Sequence, residues 1–294
     1  MENLDPAAEA YLDKIRNYID RMPSLSTTVT KVLAVCNQPN TSPNDLNRVI
    51  SLDPVLTGQV LKLINSAYYS LPNQITSLTR AIIMLGLNTV KNLALSTAIL
   101  DSVGKEGMTC LSMDKFLAHS ICVGVAAKAF ASLRKTPAAL LEEYFVAGLL
   151  HDLGKIPLSN CFPDDYKRVI ELANMQRCSL MRAEEMIFGF DHRTTGRIIA
   201  RKWQLNDNMI ETLWFHHAPA EASSENQMLV QTIALANLYA NLFEIGSGGD
   251  LYQEPVMVQQ VINESGLEWN GAAALYTTVE QEVEKAQVFL EVAK

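Results

Sequence analysis

Apolar residues recur along most of this chain with the spacing of an amphipathic helix, and this periodicity limits the fold more than any other feature. One helix face, for example, collects the apolar residues Leu25, Val29, Val32, Leu33 and Cys36. Ser42-Pro43 and Asp53-Pro54 each place an N-cap side chain before a proline at the first helical position. Alternating strand patterns are scarce. We therefore predict an all-α, multi-helical fold.

The composition supplies enough core material for a folded protein in a reducing compartment. Of the 294 residues, 48% are hydrophobic and 19% are charged, which excludes disordered and collagen-like chains. The five cysteines include no C-x-x-C pair, which argues against a disulfide scaffold or a zinc finger. Residues 1–20 lack the apolar run of a signal peptide, and polar residues interrupt the apolar stretch 81–100. We expect a cytoplasmic protein that makes no membrane contact.

The net charge of −8 is distributed unevenly along the chain. Residues 1–217 carry a net charge of +1, whereas residues 218–294 carry −9. Neither part has the basic excess that non-specific binding to nucleic acid requires. Residues 54–100 contain three basic residues and no acidic residue. That segment either packs against the rest of the chain or forms a surface for a partner.

The domain division is predicted at residues 101–112, the most turn-like stretch between two long apolar runs. We assign residues 1–106 to an N-terminal helical subdomain and residues 107–294 to a helical domain with additional C-terminal helices. The final helix carries a stripe of apolar residues: Leu275, Val279, Val283, Ala286 and Leu290. This stripe could pack on the body of the protein or pair with a second subunit, so an oligomer remains an alternative.

The residues that could carry chemistry include all five histidines of the chain: His119, His151, His192, His216 and His217. His151-Asp152 closes an apolar helix and precedes Gly154, which we expect to end that helix in a left-handed turn. Imidazole nitrogens and a carboxylate suit iron, manganese or zinc, and paired ions are commonly used in phosphoester hydrolysis. A single histidine is more often an ordinary buried or surface side chain, so this hypothesis requires the five histidines to converge.

Several motifs outside the histidines resemble one bacterial family. Met22-Pro23-Ser24-Leu25, Asp53-Pro54-Val55-Leu56 and the segment from Ser77 to Gly86 are similar to the HDOD proteins, the HD-related output domains of bacterial signalling. The resemblance covers roughly residues 20–220. It implies an HD-domain-like helical bundle preceded by an N-terminal helical subdomain, and a relationship to the HD superfamily of metal-dependent phosphohydrolases.

The resemblance also implies a set of metal ligands. The first histidine of the superfamily falls on His119, its H-D pair on His151-Asp152 and its lysine on Lys155. The HD-GYP relatives, which hydrolyse cyclic-di-GMP, add histidines that match His192, His216 and His217. By this resemblance Asp152, His192, His216 and His217 hold one ion, and His119, His151 and Asp152 hold the other.

The chain departs from the family pattern in three places, and the first of them weakens the second metal position. Asn237 stands where the superfamily has its last aspartate, and a neutral amide oxygen binds a divalent cation more weakly than a carboxylate. Its spacing from Val230 and Ile233 places Asn237 on the inward face of its helix. Lys115 replaces the glutamate of a third metal site, and no Gly-Tyr-Pro follows His217. We expect one well-held ion, iron first with manganese or zinc as alternatives, and a poorly held second.

Two functions agree with the metal ligands. The first is a signalling output or regulatory protein that binds other signalling proteins and, at its residual metal site, a nucleotide or phosphate. The second is a phosphohydrolase acting on a nucleotide or cyclic dinucleotide, with Asp152 and Lys155 as its catalytic residues. Lys155, Arg193 and Arg197 are candidate phosphate contacts in either case. The alternative for the arginines is a solvated helix face with ion pairs to Glu184 or Glu185.

A third function would be DNA recognition by a helix-turn-helix. Residues 80–99 have a helix–glycine–helix outline, whose second helix would present Asn88, Thr89, Lys91 and Asn92. Only one of these four residues is cationic, and a packed helical hairpin explains the same pattern.

Overall fold

The structure is a computed structural model that describes residues 5–22, 25–36, 38, 41–253 and 255–292, with the backbone alone for residues 103–106 and 292. Within these ranges every regular element is helical, which confirms the all-α prediction. Pro23 and Ser24, from the first family motif, lie outside the described residues.

In the described part of the chain, six helices precede residue 107. They are α1 (Pro6–Arg21), α2 (Thr27–Cys36), α3 (Pro43–Ile50), α4 (Pro54–Ile64), α5 (Leu78–Leu85) and α6 (Leu87–Glu106). Ser42 and Asp53 cap α3 and α4 through their side chains, as the sequence predicts. Helix α6 continues through residues 101–106, where the sequence predicts a turn, and ends at Gly107 with φ of +66°. The division at residue 106 therefore coincides with a helix end and stays a prediction.

Eight helices build the body of the protein. They are α7 (Met113–Leu133), α8 (Leu141–Leu150), α9 (Lys155–Cys161), α10 (Pro163–Gln176), α11 (Leu180–Phe188), α12 (His192–Lys202), α13 (Asp207–Phe215) and α14 (Gln227–Leu242). Short 3₁₀ turns occur at Ala138–Leu140 and Pro219–Glu221. Four helices follow: α15 (Pro255–Glu264), α16 (Trp269–Ala273), α17 (Tyr276–Ala286) and α18 (Val288–Val292). Helices α7, α8 and α14 pack together at the centre, whereas α1 packs on α9 and α12.

Two glycines allow α7 and α8 to approach each other at backbone distance. A Cβ added to Gly148 would lie 2.7 Å from the Cα of Gly124, closer than any side chain permits. This contact brings His119 on α7 and His151 at the end of α8 to the same side of the core, with ring centroids 5.5 Å apart. The close helix packing thus positions half of the predicted site.

Helix α7 has the length and hydropathy of a membrane span, but 72% of its apolar window is buried inside the protein. A buried central helix of this kind is expected in a helical core. The C-terminal stripe packs on the body, since Val279, Val283 and Ala286 are buried and α17 contacts α7.

The α5–α6 pair bends by 119° at Gly86 but does not present a recognition helix. Thr89 and Asn92, two of the four residues that would face DNA, are 6% and 4% exposed. Helix α6 packs instead on α4 and α8. The structure therefore favours the packed hairpin over DNA recognition.

Candidate metal centre

The five histidines and Asp152 come together where four helices begin or end. His151 and His216 are the C-cap residues of α8 and α13, whereas His192 opens α12. Asp152 lies in the turn between α8 and α9, and His119 projects from the middle of α7. All of these except His217, which is partly accessible, are about 1% exposed. Helix ends therefore place most of these polar side chains inside the core.

Three candidate ligand atoms, one of them from Asp152, form a nearly equilateral triangle. The Oδ1 atom of Asp152 lies 3.4 Å from His192 Nε2 and 3.6 Å from His216 Nε2, and the two Nε2 atoms are 3.3 Å apart. Ligands bound tetrahedrally to zinc at about 2.0–2.1 Å are separated by about 3.3–3.4 Å. His217 offers a fourth nitrogen, because a ligand atom from each of the four residues lies within 4.8 Å of the others. These spacings suit one divalent ion.

The hydrogen bonds of the rings prepare their Nε2 atoms to bind a cation. The Nδ1 groups of His151 and His216 donate to the carbonyl oxygens of Gly148 and Thr212, at 2.7 and 3.1 Å. His192 Nδ1 donates to the carboxylate of Glu184 at 2.6 Å. When neutral, each ring therefore turns the lone pair of its Nε2 toward Asp152, the arrangement of metal-bound histidines. Asp152 Oδ1 and the Nε2 atoms of His151 and His217 accept no hydrogen bond from the described residues.

The second predicted position is less well formed. His151 Nε2 and His119 Nε2 lie 3.3 and 4.0 Å from Asp152 Oδ2. Asn237 is buried, as its spacing predicts, and its Oδ1 lies 3.1 Å from His119 Nε2. Lys155 occupies the same carboxylate oxygen, since its Nζ donates to Asp152 Oδ2 at 2.7 Å. An ammonium group and a second cation would compete for this oxygen.

Lys155 is enclosed by a loop that follows α14. Its Nζ also donates to the carbonyl oxygen of Gly248 at 2.9 Å and to Asp250 Oδ2 at 2.8 Å, and the residue is 0% exposed. A Cβ on Gly248 would lie 2.8 Å from Asp152 Oδ2, so the loop backbone lies directly over the second position. A cavity of about 30 Å³ adjoins His216, His217 and Asn237. This volume has room for a water molecule or two, whereas ligand pockets measure about 300–1,000 Å³.

The buried charges around the cluster sum to a negative value that suits a divalent cation. Three carboxylates, of Asp152, Glu184 and Asp250, face the cluster, and Lys155 supplies the only ammonium among the described residues there. Burial opposes ionisation of Asp152, yet His151 and Lys155 hold its pKa well below the usual value. Asp152 and Asp250 likewise raise the pKa of Lys155 against the effect of burial. With neutral imidazoles the net charge is −2, which one divalent ion would balance.

Gly154 serves close packing instead of a left-handed turn. The prediction that it ends α8 with positive φ is wrong, because its φ is −66°. A Cβ at this position would lie 1.8 Å from the carbonyl oxygen of His192. The turn after Asp152 therefore lies against the first turn of α12, and only glycine permits this approach.

The arginines after His192 point to other partners. Arg193 pairs with Asp191 at 2.6 Å and with Glu185 at 3.3 Å. The guanidinium of Arg197 lies 4.6 Å from the centre of the Trp214 ring. The ion pairs match the solvated-face alternative in part, since Glu185 is a partner but Glu184 is buried against His192. Phosphate contacts by Arg193 and Arg197 stay a prediction. The partners that the two side chains have here do not favour it.

Comparison with known families identifies the family of this chain. The profile of the HDOD domain matches residues 22–219. The chain belongs to the HDOD family. A solved HDOD domain protein of unknown function from Geobacter sulfurreducens is 25% identical and superimposes with a TM-score of 0.76, over 95% of this chain and 97% of that one.

Two further similar proteins extend the comparison of this HDOD chain. A candidate phosphohydrolase from Shewanella amazonensis SB2B is 20% identical, with a TM-score of 0.69 over 95% of this chain and 97% of that one, and shares the fold. An uncharacterized protein of Treponema pallidum is 26% identical over 227 residues, which are 76% of this chain and 43% of that protein. This chain thus spans less than half of that relative.

Sequence analysis missed two groups that contact the cluster. Glu184 accepts hydrogen bonds from His192 Nδ1 and from the hydroxyl of Tyr166. Asp250 contacts Lys155 from a position 95 residues along the chain. The glycine-rich stretch Gly246–Asp250 was the one available signal, because such stretches often form tight loops over other backbone segments. Nothing in the sequence links Glu184 to His192.

Acid is expected to destabilise the metal-free protein through these buried rings. Burial lowers the pKa of His119 to about 3 and that of His216 to about 4. The unfolded chain then binds more protons below pH 6.5, so this stability is present above pH 6.5 and is lost as the pH falls toward 4. Each of these two rings should lower the free energy of unfolding by about 2 kcal/mol as the pH falls from 6.5 to 5.

His192 acts in the opposite direction, since Glu184 raises its pKa despite burial. Its contribution is present at low pH and is lost as the pH rises through its folded pKa. The lowered pKa values of His119 and His216 outweigh the contribution of His192. Urea unfolding of chelator-treated protein should therefore give a smaller free energy of unfolding at pH 5 than at pH 7.5. Equal stability at both pH values would contradict the prediction.

Proposed function

We propose that this HDOD protein is a cytoplasmic signalling regulator whose cluster of histidines around Asp152 binds a single divalent metal ion. Asp152, His192, His216 and His217 are its ligands. Iron is the first candidate for the ion, and manganese and zinc are the alternatives, since all three bind imidazole and carboxylate. The position at His119, His151 and Asn237 holds a second ion weakly or not at all.

The observation that carries the proposal is the unpaired Oδ1 atom of Asp152. A fully buried carboxylate oxygen without a hydrogen bond is costly, unless a cation satisfies it. The Nε2 atoms of His192 and His216 lie 3.3 Å apart and face the same point. A metal ion at that point satisfies all three atoms.

The enclosure of the cluster favours regulation over turnover. The adjoining cavity of about 30 Å³ is too small for a nucleotide, and Lys155 already has three partners. Partner proteins would then be recognised on the helical surface, while the metal holds the ends of α8, α12 and α13 together. A phosphate or nucleotide reaches Lys155 only after the loop moves.

The alternative, a phosphohydrolase, is favoured by one feature. The two oxygens of Asp152 face two groups of histidines, as a carboxylate that bridges two ions would. Catalysis by Asp152 and Lys155 would require both positions to be filled and the loop to open.

Two measurements test these proposals on untagged protein. Elemental analysis should find close to one iron, manganese or zinc ion per chain, and less than about a tenth of an ion would overturn the proposed site, because four-ligand sites retain their metal. The iron- or manganese-loaded protein should not release product from cyclic-di-GMP or common nucleotides. Turnover that Asp152→Ala abolishes would establish the phosphohydrolase instead.

A further inference from the structure

The loop Gly246–Asp250, here called the capping loop, occupies the space that a ligand of Lys155 would need. Two of the three groups that contact the Lys155 ammonium, Gly248 O and Asp250 Oδ2, come from this loop. The remaining partner is Asp152. Without the capping loop, Lys155 would keep one protein partner and would face the open side of the cluster.

Asp250 makes two contacts of the kind that a phosphate group makes. Its Oδ2 accepts from Lys155 at 2.8 Å, and its Oδ1 accepts from the backbone N–H of Leu180 at 2.8 Å. Leu180 is the first residue of α11, so this N–H belongs to a helix N-terminus. A lysine and a helix N-terminus together form an anion site, and here a side chain of the same protein fills it.

The capping loop is held to α7 by a backbone hydrogen bond. Ser247 N donates to the carbonyl oxygen of Lys115 at 2.9 Å, and this oxygen lies at the start of α7. The φ angles of Glu244, Gly246 and Gly249 are +55°, +71° and +92°. The loop contains no regular secondary structure, and its residues other than Gly248 are partly accessible. It is therefore a local cover whose removal leaves the helices that carry the cluster in place.

We propose that Asp250 is an intramolecular competitor for anions, and that a phosphate-bearing ligand binds Lys155 by displacing the capping loop. This competition would regulate the site of the proposed function, and the groups it requires are Lys155, Asp250 and the start of α11. Displacement would expose the second metal position and the side of Asp152 now covered by Gly248. Binding of the anion and opening of the loop are thus one event.

Inorganic phosphate is the probe for the first test, by isothermal titration calorimetry of the full chain. If the open loop is a minor state of 10% or less, removing the competitor should tighten binding about tenfold or more. Asp250→Asn should show this gain, and Lys155→Gln combined with Asp250→Asn should lose it. Asp164→Asn, at a side chain that is 96% exposed, is the matched control and should bind as the wild type does.

Gly246→Ala tests the loop without changing a charged group. The added Cβ would lie 2.2 Å from the backbone nitrogen of His119, so the loop must move away. We expect tighter phosphate binding and faster amide hydrogen exchange in residues 245–253. Gly271→Ala, where nothing lies within 4 Å of the new Cβ, should change neither. Wild-type protein saturated with phosphate should also exchange faster in residues 245–253.

The outcomes separate this inference from the proposed function. Unchanged phosphate affinity in folded Asp250→Asn and Gly246→Ala would overturn the competition. If Asp250→Asn fails to fold, unchanged affinity in Gly246→Ala with unchanged exchange in phosphate-saturated wild type would do so. Metal analysis of the wild type is independent, because absence of metal overturns the proposed function while a gain in phosphate binding through Lys155 still supports the competitor.

Discussion

Asp152→Asn is expected to remove the metal from the protein, from about one ion per chain to below about a tenth after purification. Loss of a group that hydrogen-bonds to a metal ligand lowers metal affinity by about 10–100-fold. Loss of the shared carboxylate ligand itself should lower the affinity further. Among the described residues, Asp152 is the one whose oxygens face both groups of histidines. Elemental analysis and titration of the metal-free variant with manganese check the result.

The neighbouring residues provide controls for this prediction. His192→Ala and His216→Ala should lose the ion as Asp152→Asn does, whereas His119→Ala and Asn237→Ala should retain it, because those two residues lie only at the second position. Asp164→Asn should have no effect. Full metal content in Asp152→Asn would show that the ion binds elsewhere, and equal loss in His119→Ala would show that both positions act together.

Gly154→Ala is expected to cause the largest loss of stability among single-methyl changes near the site. Its Cβ would lie 1.8 Å from the carbonyl oxygen of His192 and 2.6 Å from the nitrogen of Gly196, both backbone atoms. Relief requires the first turn of α12 to move, with a cost of about 3 kcal/mol or more. The melting temperature should fall by roughly 5 °C or more. Because His192 moves with α12, metal affinity should fall as well.

Gly58→Ala is the matched control, since nothing lies within 4 Å of the added Cβ in the middle of α4. There alanine should be neutral or should stabilise the protein by up to about 1 kcal/mol, since it restricts the unfolded chain. Thermal unfolding of both variants measures this difference in stability. If Gly154→Ala melts within 2 °C of the wild type, the close approach of the turn to α12 is not required.

The chain itself contained the information for the helices and for the identity of the metal-ligand candidates. Apolar spacing predicts helices because each helix must bury one face, and Ser42 and Asp53 cap their helices through local hydrogen bonds. The inward position of Asn237 follows from the same periodicity. The grouping of the five histidines came from family resemblance, because no local rule joins His119 to His216.

Only the tertiary structure decided what surrounds those residues. Gly154 is needed for contact with α12, Glu184 orients His192, and Asp250 neutralises Lys155 from a loop 95 residues away. Each is a contact between segments far apart in sequence, and residue periodicity reports only which face of a segment is buried. Sequence thus determined the helices and the supply of ligands, whereas packing determined which ligand atoms are free, because burial and hydrogen bonding are set by neighbours that the linear order does not specify.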